Sequence, residues 1–288
     1  MATVTNTSTN AINKNVIIPE VYASLVREKI AGKVKVAQFL VNLGDLHGKV
    51  GETLTMPKWA YIGDAKDWNI STPMDVTQMK QTTTQATIKA IQAPAVKIAD
   101  YDNEVELGNA IEEASNQQAI AVGRKYDTDA IACALTSPLK FQLATKNTVT
   151  QAEMISILGL YGDDRDTVDF DAIVIHSSFA PSFYAMDMFT SRNLTMTEDG
   201  NGIAVNGEIG TFLGIPVVLS DRLYDATNQE GFILVMKKNA ISIIPKENPF
   251  AEASRDASLR QTTIYLSQFY AMALTDDEAI VFAKKVLS

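Results

Sequence analysis

Chemistry in a folded chain needs nucleophiles, bases or metal ligands at workable spacing, and this chain holds few of them. It has two histidines, His47 and His176, one cysteine, Cys133, and an acidic run, "GDDRDTVDFD", with Asp163, Asp164, Asp166, Asp169 and Asp171. A structural zinc site built from Cys and His needs four ligands, more than these residues supply. The acidic run offers oxygen donors but lacks the central glycine and terminal glutamate of a calcium loop, and it reads as a solvated loop. "GDLHGKV", Gly44 to Val50, is one residue short of a phosphate loop and carries Val50 where a magnesium-binding Ser or Thr belongs; it reads as a polar turn. "GNGIAVNG", Gly200 to Gly207, follows "TMTED" rather than an apolar strand, so it does not fit the dinucleotide fingerprint. His176-Ser177 closes "FDAIVIHSS" without the Gly-x-Ser-x-Gly elbow of a hydrolase, and Ser177 or Ser178 reads as a helix cap. Cys133 falls on the apolar face of a helical pattern, where a thiol packs as a small hydrophobe. No catalytic, cofactor-binding or metal site is expected, and the chain does not read as an enzyme.

Composition narrows the classes further. With 46% hydrophobic residues in 288, the chain can bury a substantial core. A formal charge of −9 disfavours sequence-specific reading of nucleic acid, because phosphate neutralisation draws on clustered Lys and Arg. One cysteine excludes an intrachain disulfide, which suits a reducing cytoplasm. The start, "MATVTNTSTNAINKNV", has no signal-peptide pattern, and no apolar run approaches the roughly 20 residues that span a bilayer. No membrane partner is expected.

The elements that would position any site are clearer. Residues 1–18 are rich in Thr, Asn and Ser, the composition of an arm too poor in core residues to fold alone. After Pro19 the spacing predicts one helix, interrupted near Gly32, with Val21, Leu25, Ile30, Val34 and Phe39 inward. Two Thr-rich alternating segments over about 50–98 predict a long β-hairpin with strands of about 12 residues, some 40 Å in extent. From Asp100 to Ser137 a period of 3.6 predicts a spine helix of about 50 Å, capped by Asp100 or Asp102, with Leu107, Ile111, Ala114, Ala119, Val122, Tyr126, Ala130 and Cys133 on its packing face. Residues 150–245 alternate helix and strand, as in a compact α/β domain. "RQTTIYLSQFYAMAL" alternates through a long strand, and "TDDE" is expected to turn it into "AIVFA" as a closing antiparallel hairpin. A ribbon of the predicted length is marginal on its own in water, so it implies a neighbour.

This order of parts resembles the major capsid proteins of tailed bacteriophages with the Hong Kong 97 fold, over nearly the whole chain. "FDAIVIHSSFAPSFYAM" followed by "GEIGTFLGIPVVLSDRL" is similar to the strand–helix and strand segments of that family's axial domain. The resemblance implies an α+β Hong Kong 97-like capsid fold. Its parts would be an N-terminal arm and helix (1–48), an extended β-hairpin or E-loop (49–99), the spine helix of the peripheral domain (100–145), an α/β axial domain (146–245) and return strands of the peripheral domain (246–288). "GTFLGIPVVLSDRL", at first sight the lip of a cofactor pocket, would then be a tight turn and a buried strand. The implied function is self-assembly into pentamers and hexamers of an icosahedral shell that encloses double-stranded DNA without sequence specificity. The virion is the implied location and the host bacterial cytoplasm the place of synthesis.

Residues 1–18 are too few for a folded internal scaffold, so the resemblance implies a separate scaffolding protein, with a portal and a decoration protein as further partners. Aromatic residues anchor interfaces more often than they decorate loops, which makes Trp59 and Trp68 of the hairpin candidate intersubunit contacts. Ile12 and Ile17 of the arm are the others. The family's Lys–Asn cross-link chemistry would have Lys58, Lys66 and Asn248 as its candidates here. Two rival readings are an encapsulin-like shell that packages a cargo enzyme, and a small-molecule-binding α/β protein supported only by residues 170–235.

Overall fold

The computed structural model describes residues 19–44, 53–59, 62, 65, 67, 76–101, 109–162, 169–190, 208–246 and 248–286. Helix α1 (Pro19–Ala31) opens with proline in its first turn, where a missing N–H costs nothing. Its buried stripe is Tyr22, Val26 and Ile30, at four-residue spacing, while Val21 and Leu25 are exposed. Of the five residues expected inward, Ile30 is buried and Val34 and Phe39 pack against the same core, whereas Tyr22 and Val26 take the inward places expected of Val21 and Leu25. The cause is Tyr22, whose ring packs in the core while its hydroxyl donates to Gln118 at 2.8 Å. Strand β1 (Val41–Asn42) follows, then the ribbon β2 (Thr53–Trp59) and β3 (Gln81–Thr87), then β4 (Lys89–Ala99). The paired ribbon is seven residues long, Thr53 opposite Thr87 to Trp59 opposite Gln81, and not twelve. The second Thr-rich segment divides at Ile88, and its later half leaves the ribbon to join another sheet.

The spine helix, α2 (Ala110–Ala134), is 25 residues long, about 38 Å, and shorter than its periodicity predicts. Asn109 caps it by accepting from the Glu112 amide; Asp100 and Tyr101 are themselves helical, and Asp102 lies outside the described residues. Asp100 instead receives the Arg255 guanidinium through both terminal nitrogens. The predicted packing face holds for Ala114, Ala119, Val122, Tyr126 and Ala130, all buried; Ile111 and Cys133 are partly buried against the same core. Leu107 lies outside the described residues.

Next come β5 (Lys140–Gln142), α3 (Gln151–Gly159) with a Thr150/Glu153 capping box, β6 (Phe170–Ile175), and short helices α4 (Ala180–Tyr184) and α5 (Asp187–Thr190). The strands after them are β7 (Glu208–Phe212), β8 (Ile215–Leu219), β9 (Tyr224–Asp225), β10 (Glu230–Gly231), β11 (Ile233–Lys237), β12 (Ile241–Pro245), β13 (Phe250–Asp256), β14 (Gln261–Leu274) and β15 (Ile280–Lys284).

Two sheets organise them. In the first, β14 is central: β4 pairs along 261–270, while β13 and then β12 take the other edge, and β1 adds to β12 in parallel. The predicted alternation is observed, with Ile264, Leu266, Tyr270, Met272 and Leu274 all in the core that also holds α1 and α2. The second sheet runs β5-β15-β11-β6-β8-β7. Strand β6 is buried on both faces and reads as a continuous apolar run for that reason: Ile173 and Ile175 meet α3 and the residues of α4, while Ala172 and Val174 enter the spine-helix core. The closing hairpin expected from the sequence does not form. Strand β14 stays in the first sheet, and β15 crosses to pair with β11 and β5 in the second. Two buried strands in different sheets satisfy more backbone and bury more apolar surface than one exposed terminal ribbon would.

Ala130 is fully buried on α2, where a small side chain sets how closely the helix approaches its sheet. Ala130→Leu is expected to lower stability by about 1–3 kcal/mol through overpacking, read as a lower denaturant midpoint at unchanged slope.

Candidate assembly surface

The buried polar groups of the first sheet are engaged with one another. Gln118, from α2, donates to the carbonyl of Pro94 at 2.9 Å and reaches that of Ile264 at 3.5 Å. There the β4–β14 ladder shifts register, Val96 opposing Ile264 and Ala93 opposing Leu266, so Pro94 and Ala95 form a bulge. Two turns on, the Tyr126 hydroxyl donates to Gln268, and its ring meets Tyr270 edge to face at 4.9 Å. Asp129 accepts from Tyr270 at 2.5 Å and from Lys89 and Lys125 at 3.0 Å each. Burial alone would raise its pKa, but the bonds from Tyr270, Lys125 and Lys89 outweigh that and hold it below the usual carboxylate range. On the neighbouring face of α2, Asp127 accepts from the backbone amides of Lys35, Val36 and Ala37, which fixes the chain leaving α1. These groups hold the helix to the sheet and are spent on one another.

The second sheet is equally closed at the places where the sequence suggested chemistry. Leu213 and Gly214 have φ of 50° and 81° and make the two-residue turn of the β7–β8 hairpin, a geometry that asks for glycine. Ile215–Leu219 is a mostly buried strand parallel to β6, and the Ser220 amide continues the pairing onto Ile175. "GTFLGIPVVLSDRL" is thus a hairpin and a core strand. His176, not Ser177 or Ser178, caps the turn after β6: its Nδ1 accepts from the Ser178 amide and lies 2.9 Å from the Ser178 hydroxyl. Burial lowers the imidazole pKa, and the ring stacks on Tyr224. The backbone of Gly231 closes over this pair, since a methyl group there would sit 2.7 Å from the Ser178 hydroxyl oxygen. Burial also raises the Cys133 pKa, which leaves it a packed thiol. Among the described residues no cluster of three metal-ligating side chains occurs; 45–50, 163–168 and 200–207 lie outside them.

What remains open is surface. Of the residues singled out in the sequence, Trp59 ends β2 opposite Gln81, while Trp68, Ile12 and Ile17 lie outside the described residues. Lys58 stands opposite Thr82 in the ribbon, Asn248 lies just before β13, and Lys66 is outside the described residues. The ribbon is rooted where Ala86 and Ile88 meet Ile244, Ala271 and Ala273 on the face of the first sheet away from α2. On that same face Tyr265, Phe269 and Phe250 are exposed, Phe250 being paired with Ser267 between the other two. Sequence reasoning missed this aromatic patch, although its signal was present: Tyr265 and Phe269 occupy the odd positions of a strand whose even positions make the core.

The described residues thus form a short ribbon, a spine helix and two sheets, and among them no cluster of three metal-ligating side chains occurs. The chain is 28% identical to the major capsid protein of Staphylococcus phage phiMR11 over 271 residues, 93% of each chain. Its fold is similar to the capsid structure of cyanophage P-SCSP1u, with a TM-score of 0.63 and 14% identity over 89% of each chain. It is similar too to a virus-like particle from Pyrococcus furiosus, with a TM-score of 0.57 and 9% identity over 93% of this chain and 100% of that one. No family model matches. The chain is thus similar along nearly its whole length to a phage major capsid protein, as its sequence suggested, and its fold is similar to that of phage capsids.

Two substitutions test this geometry. Asp129→Asn is expected to cost about 2 kcal/mol at neutral pH by weakening bonds to a charged acceptor. Because the folded pKa is depressed, the stabilisation is present above the unfolded value near 4 and is lost as pH falls through the folded one. The gap between variant and parent in urea melts should therefore narrow from pH 7 to pH 3. Gly231→Ala is expected to lower the melting temperature through its contacts with Ser178 and His176, and Gly231→Ala/Ser178→Ala to recover part of the loss.

Proposed function

We propose that this chain is the shell subunit of a tailed phage, forming pentamers and hexamers that close into an icosahedral head around double-stranded DNA. The observation that carries the reading is similarity to a phage major capsid protein along 93% of both chains, joined to a fold whose open features are surfaces. A head-to-tail contact repeated around a ring closes it, and many weak contacts sum to a stable shell. The ribbon suits such a contact: its Thr-rich strands can pair with each other but carry little to make a core of their own. Trp59 and Trp68 would anchor it on an adjacent subunit, and Ile12 and Ile17 would anchor the arm. Assembly would take place in the host cytoplasm with a separate scaffolding protein, a portal and a decoration protein, and the interior would hold DNA through backbone charge alone.

The virus-like particle from Pyrococcus furiosus has a similar fold, so fold by itself does not separate a phage head from a cargo-packaging compartment. Sequence favours the head, at 28% against 9% identity. Electron microscopy of the expressed chain is expected to show closed shells or capsomer rings; a chain that stays monomeric at every concentration overturns the proposal. Deleting residues 63–73, the ribbon tip, is expected to leave cooperative melting of the subunit intact and to abolish closed particles. Normal particles from that deletion would remove the ribbon from the assembly contact.

A further inference from the structure

We draw no further inference here: the strongest candidate, the exposed aromatic patch that Phe250, Tyr265 and Phe269 form on the face of the first sheet away from α2, carries nothing, because no feature of the structure shows what covers it.

Discussion

Strand β14 is the constraint on which the molecule depends. Over Gln261–Ser267 both of its edges are paired, to β4 and to β13, and its last residues pair with β12, so one fourteen-residue strand organises segments from across the sequence. A slip of one residue would turn Ile264, Leu266, Tyr270 and Met272 out of the core all at once. The bulge at Pro94 and Ala95 is where β4 absorbs the mismatch between its own spacing and that of β14, and proline, with no amide to lose, is suited to stand there. Gln118 reads that bulge from the helix above it, tying the rotation of α2 to the register of the sheet below.

The chemical poverty of the chain follows from how its polar groups are used. Tyr126, Asp129, Tyr270 and Gln268 would make a reactive cluster if they faced water. They face one another instead, beneath a helix packed closely through Ala119, Ala130 and Ala134. His176 and Ser178, beside Gly231, are likewise bonded to each other. Buried polar networks of this sort give a core one arrangement, and a subunit of the proposed shell would need that uniqueness more than a cavity.

Much of this was legible in the sequence, where local periodicity and tertiary packing agree. The apolar face of the spine helix, the alternation of Ile264 to Leu274 and the doubly buried "FDAIVI" strand could all be read because burial follows the period of each element. Three readings failed because non-local pairing decided them. At Val21 and Leu25 the inward places of α1 went to Tyr22 and Val26, and Tyr22 is held there by a hydrogen bond to a residue 96 positions away. The ribbon is shorter than its Thr-rich segments because β4 finds a better partner in β14. The last strand leaves its neighbour in sequence for β11, a choice that no feature of "AIVFA" announces. For the candidate surface, aromatic composition drew attention to Trp59 and Trp68, whereas Phe250, Tyr265 and Phe269 share a face only because β13 and β14 pair in the observed register.

The root of the ribbon has a mechanical meaning. Ala86 and Ile88 hold it against Ile244, Ala271 and Ala273, and three of those five side chains are alanines. Contacts made largely by methyl groups have shallow, poorly directional energy wells, unlike the interlocked aromatic and aliphatic side chains beneath α2. A root of so few and such small side chains resists a change in the ribbon's angle less than the packing beneath α2 would. In the shell proposed above, such a joint would lie outside the core, where the ribbon could follow a local geometry that varies from site to site without disturbing the subunit.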